Sequence, residues 1–79
     1  MSNLEKYNQA FMRCFELTAD QLAGLEYQQI PAWDSVGHMG LIAAFEDDFD
    51  ILMDTDDILS LNSYEIGKEI LSNNYQIEF

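Results

Sequence analysis

The chain has 79 residues, a net charge of −12 at pH 7 and one cysteine. A chain of this length holds a single domain, residues 1–79, and one cysteine excludes an internal disulfide and a cysteine-built zinc site. Because 15 acidic side chains face only three basic ones, the net negative charge repels nucleic acid and anionic membranes. No apolar run approaches the roughly 18 residues that cross a bilayer, and Glu5, Lys6 and Arg13 interrupt any signal-peptide core. We therefore expect a soluble, cytoplasmic monomer that neither binds nucleic acid nor inserts into a membrane.

A first helix is predicted over about residues 3–16. Ser2 and Glu5 have the spacing of a capping box, and apolar residues then recur at intervals of three and four, at positions 4, 7, 11, 14 and 15. Cys14 lies on this apolar stripe, and no histidine partner is suggested nearby. The pattern therefore favours a buried structural thiol over a nucleophile.

A long, packed first loop is predicted over residues 17–34, which carry cap and turn signals but no helical period. Thr18 and Gln21 are spaced to cap one short helical turn, which Gly24 would end. Larger apolar side chains at positions 22, 25, 27, 30 and 33 can anchor the loop to the core. Pro31 disfavours the helical conformation for the residue before it. The chain should therefore reach Asp34 in an extended course.

A second helix is predicted to begin at Asp34 and Ser35, two favoured capping residues, and to run to about Phe49. Gly37 and Gly40 lie in its first turns, where each costs about 1 kcal/mol relative to alanine. This cost indicates either that something approaches the helix closely there or that neighbouring residues pack tightly. The side chains expected to face the core are Leu41, Ile42, Phe45 and Phe49.

Two further helices complete the predicted all-α fold. A short third helix, capped within residues 54–56, would contain the apolar positions 58, 59 and 61. Asn62 and Glu65 repeat the capping-box spacing and would start a fourth helix that runs to about Ser72. The last residues alternate in hydropathy, but a lone strand has no partner. The expected core residues of the fourth helix are Tyr64, Ile66, Ile70 and Leu71.

The segment Trp33-Asp34-Ser35-Val36 resembles the Asp-Ser-Leu attachment motif of acyl carrier proteins, with valine in place of leucine. The resemblance covers nearly the whole chain, including the long first loop, the acidic run at 46–51 and the short third helix. It implies an acyl-carrier-like four-helix bundle that is not itself an enzyme. In such a carrier a phosphopantetheinyl transferase attaches a 4'-phosphopantetheine arm to the serine, here Ser35. The arm then carries acyl groups as thioesters and presents them to partner enzymes.

The resemblance also implies roles for the neighbours of Ser35. Asp34 would contribute to recognition by the transferase, although helix capping explains this residue equally well. Val36 and Met39 would lie exposed and pack against partner enzymes. His38 is expected on the helix surface, in contact with the arm or a partner. It is not assigned a catalytic role, because Ser35 lies three residues away on the same helix and needs its hydroxyl for attachment.

Electrostatic docking is implied for the acidic end of the second helix. By position, Glu46 and Asp47 would meet arginine and lysine side chains of the partners. An apolar centre with a charged surround favours fast, salt-sensitive association. The partners implied are the transferase, an acyl- or aminoacyl-loading ligase, and acyltransferase or synthase enzymes with basic docking surfaces.

Departures from the family pattern leave the pathway and the cargo open. Gly-His-Met-Gly at 37–40 replaces the acidic and β-branched residues common in fatty-acid carriers, which indicates a specialised biosynthetic pathway. A D-alanyl or peptidyl type of aminoacyl carrier is one alternative, and an acidic adaptor without a covalent cofactor is another. A calcium-binding loop is disfavoured, because loops starting at Asp48 or Asp54 lack the glycine required at the sixth position. No residue is assigned as a metal ligand.

Overall fold

The computed structural model describes all 79 residues and contains four α-helices and no β-strand. The predicted all-α bundle, with a long first loop and a short third helix, is confirmed. No helix is both long enough and apolar enough to cross a membrane. The helices are α1 (Asn3–Phe15), α2 (Ser35–Phe49), α3 (Thr55–Ser60) and α4 (Tyr64–Tyr75), and a one-turn 3₁₀ helix (Ala19–Gln21) lies in the first loop.

The predicted caps of α1 and of the 3₁₀ turn are confirmed. Glu5 N donates to Ser2 Oγ at 3.1 Å, and Ser2 N donates to Glu5 Oε1 at 3.0 Å, which completes the capping box. In the loop, Thr18 N donates to Gln21 Oε1 at 2.8 Å. Each bond satisfies a backbone or capping group that would otherwise lack a partner at a helix start. Local sequence signals thus decide where these two elements begin.

The start and the end of α4 both differ from the prediction. Ser63, and not Asn62, is the N-cap, and its Oγ accepts from Ile66 N at 3.0 Å. Glu65 does not close a capping box, because its carboxylate accepts from Gly24 N in the first loop at 3.1 Å. The helix continues to Tyr75, beyond the predicted end near Ser72. Long-range bonds to the first loop therefore override the local capping pattern.

Aromatic rings of α1, α2 and the first loop pack against one another within the core. Tyr7 and Phe45 stack with their ring centroids 5.0 Å apart, and Phe11 meets the Trp33 ring edge-on at 5.3 Å. Aromatic pairs of this kind each contribute roughly 0.5–1.5 kcal/mol beyond the area that they bury. The Tyr7 hydroxyl donates to the Tyr64 carbonyl at 2.6 Å. The other buried apolar residues are Ala10, Phe15, Leu22, Leu25, Leu41, Ile42, Met53, Leu61 and Leu71.

Three residues predicted to be buried are exposed instead, namely Leu4, Cys14 and Ile66. In α1 the protein covers a narrower stripe than the helical period indicated, so Leu4 and Cys14 lie at its edges. Partial desolvation, as the largest cause, raises the pKa of the Cys14 thiol above its usual range. A thiol with a raised pKa is a poor nucleophile at neutral pH. The buried residues of α1 are Tyr7, Ala10, Phe11 and Phe15.

The first loop is fixed both to α4 and to the core. Tyr27 N donates to Asn62 O and Tyr64 N donates to Leu25 O, each at 2.9 Å, across an isolated antiparallel bridge. The Trp33 side chain is fully buried at the end of this loop. Because the loop is held at both points, the residues that follow Trp33 enter α2 from a defined position.

Candidate functional site

Ser35 is the first residue of α2, and its side chain is exposed. Its Oγ makes no hydrogen bond within the chain, whereas Oγ of Ser2 and of Ser63 each accepts a bond from a helix N–H. The backbone N–H groups of Ser35 and Val36 also have no partner in the chain, as is usual in a first helical turn. Ser35 thus presents a free hydroxyl beside two free N–H donors.

Asp34 is the N-cap of α2. Both Asp34 and Ser35 were predicted as favoured capping residues, and only Asp34 caps the helix. Its Oδ1 accepts from Gly37 N at 2.8 Å, and its carbonyl accepts from His38 N at 2.8 Å. Its second carboxylate oxygen makes no hydrogen bond within the chain. Asp34 therefore fixes the helix start and still offers an oxygen to a partner or a metal-bound reactant. Its predicted part in transferase recognition stays a prediction.

The start of α2 lies close against the first loop because residue 37 is glycine. A Cβ at Gly37 would overlap the carbonyl oxygen of Ala32 and lie 3.3 Å from the Phe15 ring. At Gly40 the corresponding position has no atom within 4 Å. The close approach that both glycines indicated is therefore confirmed for Gly37 and wrong for Gly40. This contact sets the position of the first turn of α2, to which Ser35 belongs.

Large apolar side chains are exposed next to Ser35 and on the neighbouring helix α3. Val36 is 78% exposed and Met39 53% exposed, which confirms their predicted outward position. Leu59 on α3 is 75% exposed, and sequence analysis did not single it out. Exposed apolar groups beside a free hydroxyl are suited to a partner protein that covers them.

The acidic residues at the end of α2 differ in how freely they can meet a partner. Glu46 is half-buried, and its Oε2 accepts from Met53 N at 3.0 Å. Asp48 lies 3.6 Å from the Arg13 guanidinium in the only ion pair of the structure. The Asp47 side chain is exposed and makes no hydrogen bond or ion pair within the chain. Of the two predicted docking carboxylates, Asp47 is free and Glu46 has one oxygen committed to the loop after α2.

His38 does not lie on the helix surface as predicted, because both of its ring nitrogens are bonded inside the protein. Trp33 Nε1 donates to His38 Nδ1 at 3.0 Å, and His38 Nε2 lies 2.7 Å from the carbonyl oxygen of Ile58 on α3. An indole N–H can only donate and a carbonyl can only accept, so the ring is neutral and carries its proton on Nε2. A buried tryptophan needs an acceptor for its N–H. From this need, the sequence alone could have predicted His38 as the acceptor for the Trp33 N–H.

A cleft of about 130 Å³ lies between the first loop, α2 and α3. Four of its six lining residues are hydrophobic, and none carries a formal charge while His38 is neutral. It is suited to a small, mainly apolar group. The residues that line it are Tyr27, His38, Ile58, Leu59, Leu61 and Asn62.

A larger cavity, of about 500 Å³, lies between the start of α3 and the end of α4. It is lined only by polar residues, and none of them belongs to the neighbourhood of Ser35. No group of three or more His, Cys, Asp or Glu side chains is arranged to hold a metal ion. The lining residues are Asp54, Thr55, Asp56, Asp57 and Asn74.

The features that could act together are thus concentrated at the start of α2. The free Ser35 hydroxyl, the capping Asp34, the exposed Val36 and Met39 and the cleft beside His38 all belong to this region. The chain matches no protein-family model, no curated protein and no solved structure. What the protein does must therefore be inferred from the chemistry of these residues.

Proposed function

We propose that the protein is an acyl carrier and that Ser35 is the site of attachment for a 4'-phosphopantetheine arm. The observation that supports this most directly is the free Ser35 Oγ, exposed at the first position of α2 and without any bond in the chain. When attached, the arm supplies a terminal thiol that holds acyl groups as thioesters. Tethering the cargo in this way raises its effective concentration at each partner enzyme.

The residues around Ser35 fit the attachment chemistry. The Ser35 oxygen would form a new bond to the phosphorus next to the pantetheine of coenzyme A. The diphosphate bond breaks, adenosine bisphosphate leaves, and the hydroxyl proton passes to a base on the transferase. The free N–H groups of Ser35 and Val36 can then donate to the phosphate at the positive end of the helix dipole. Asp34 holds that end in place through its bond to Gly37 N.

Partner enzymes would dock on the exposed side of α2. Val36 and Met39 would form the apolar centre of the interface, and Asp47 with the remaining oxygen of Glu46 would meet basic side chains. The net charge of −12 supports electrostatically steered association with such surfaces. Docking should accordingly weaken as the salt concentration rises. The proposed carrier is a cytoplasmic monomer that serves a specialised biosynthetic pathway. Its cargo is an acyl group or, as the alternative, an aminoacyl group.

The test is the intact mass of the chain after incubation with coenzyme A, magnesium and a broad-specificity phosphopantetheinyl transferase. The wild-type chain should gain one phosphopantetheinyl increment, and Ser35→Ala should gain none. Ser72→Ala is the matched control, because Ser72 is also an exposed helical serine. It should be modified like the wild type.

A second variant separates recognition by Asp34 from its capping role. Asparagine caps a helix about as well as aspartate, so Asp34→Asn should keep the stability of the chain. If Asp34 takes part in recognition, the variant is modified more slowly than the wild type. An unmodified wild-type chain, in a mixture that modifies a known carrier, would reject the carrier function and favour the acidic adaptor.

A further inference from the structure

Helix α3 is held by the partly buried Ile58, which packs against the core, and by polar contacts at its two ends. It has six residues, none of them buried, and a helix this short is unstable without outside contacts. Near its start, Asp57 accepts from Asn74 Nδ2 at 2.9 Å and from the Tyr75 hydroxyl at 2.7 Å, which fastens it to the end of α4. The other end has no such contact with α4.

His38 provides the contact at the other end of α3. Its Nε2–H donates to the Ile58 carbonyl at 2.7 Å. That carbonyl belongs to the last turn of α3 and receives no backbone N–H, so His38 is its only donor. The bond from Trp33 Nε1 to His38 Nδ1 holds the ring in the orientation and tautomer that this requires. One imidazole thus joins the first loop, α2 and α3.

The same imidazole forms one wall of the 130 Å³ cleft, and Ile58 and Leu59 of α3 form another. An apolar cavity of about 150 Å³ holds one benzene molecule, so a cleft of this size holds a group of about six carbon atoms. Because the cleft is open on one side, a larger group fits wholly inside only if α3 moves away from His38. The bond between His38 and Ile58 therefore sets the size of the group that fits.

We propose that His38 is a positioning residue that latches α3 over this cleft and so limits the cargo that the protein takes up internally. The statement about cargo rests on the proposed carrier function, whereas the latch belongs to the unmodified chain. Cargo of up to about six carbons enters the latched form. Longer cargo stays outside the bundle unless the bond from His38 to Ile58 is broken.

Two substitutions divide the two bonds of His38. Asparagine places its amide at the distance of Nδ1 from the backbone, so His38→Asn keeps an acceptor for Trp33 and loses the bond to Ile58. Glutamine reaches the distance of Nε2, so His38→Gln keeps a donor for Ile58 and loses the bond from Trp33. Because the two variants lose different bonds, a general loss of packing would speed exchange of α3 in both, whereas loss of the latch speeds it in His38→Asn alone.

The measurement is amide hydrogen exchange of the unmodified chain by NMR. In His38→Asn the amides of α3 should exchange about five to ten times faster than in the wild type, the effect expected from losing one hydrogen bond. In His38→Gln they should keep their protection relative to the amides of α1, which report on global unfolding. Equal exchange of α3 in both variants, or no change in His38→Asn, would overturn the latch.

The cargo limit is tested by loading Ser35 from butyryl- and octanoyl-coenzyme A with the same transferase. Butyryl should shift the NMR signals of the buried Leu61 in the wild type, whereas octanoyl should shift them only in His38→Asn. Octanoyl signals of this kind in the wild type would overturn the limit. Failure of the wild-type chain to accept the arm would instead reject the carrier function, and the exchange experiment would decide on the latch alone.

Discussion

Gly37→Ala perturbs the contact that places the first turn of α2. The new methyl group would overlap the Ala32 carbonyl oxygen, which is backbone and cannot rotate away, and it would lie 3.3 Å from the Phe15 ring. Overpacking of this kind costs about 3 kcal/mol. Replacing a helical glycine by alanine returns about 1 kcal/mol. We therefore expect a net loss of about 2 kcal/mol, or roughly 8–16 °C in melting temperature for a domain of this size.

Gly40→Ala is the matched control, since it makes the same change one turn later in the same helix. No atom lies within 4 Å of its Cβ position, so the variant should gain about 1 kcal/mol. Urea unfolding followed by fluorescence of the single tryptophan, Trp33, measures both variants. Equal stability of the two variants would refute the inference that α2 is held against the first loop at Gly37.

Three further predictions concern helix capping, tyrosine ionisation and thiol reactivity. Asp50 ends α2 in the left-handed conformation, with φ 54°. In urea unfolding, Asp50→Gly should be about 1 kcal/mol more stable than Asp50→Ala. Both variants remove the same charge, but only alanine keeps the backbone strain. Tyr7→Phe loses the bond to the Tyr64 carbonyl and should cost about 1 kcal/mol at pH 7. Burial raises the pKa of Tyr7 above its usual range, whereas a tyrosine in the unfolded chain ionises at about pH 10. The contribution of Tyr7 to the free energy of unfolding is therefore fully present below about pH 10 and falls above it. Urea unfolding repeated across this pH range should show a smaller loss of stability for Tyr7→Phe than for the wild type. Partial desolvation raises the pKa of the exposed Cys14 thiol, so a thiol reagent at pH 8 should react more slowly with the folded chain than with the urea-unfolded chain. The reverse order would contradict this assignment.

Local patterns predicted those parts of the fold that local interactions determine. The caps at Ser2, Thr18 and Asp34 and the spacing of three and four gave helix starts that the structure confirms. The outward position of Val36 and Met39 follows from the same periodicity, because they lie on the side of α2 opposite its buried residues. The exposed start of α2 could therefore be located without coordinates.

The remaining features depend on residues that are distant in sequence. His38 bonds to Ile58 twenty positions away, and a helical period cannot indicate such a contact. Asn62 and Ser63 are both good caps, but Tyr27 N takes the Asn62 carbonyl, and Ser63 becomes the cap. Cys14 shows the same limit, because the width of a buried stripe depends on which neighbouring elements cover it. Tertiary contacts, and not local preference, decide these positions.

The carrier function itself is tested most directly by the intact mass of the wild-type chain and of Ser35→Ala, each incubated with coenzyme A, magnesium and the transferase. We predict a single phosphopantetheinyl increment on the wild type and none on Ser35→Ala. An increment on both chains would place the modification elsewhere. An increment on neither, while a known carrier in the same mixture is modified, would contradict the carrier function.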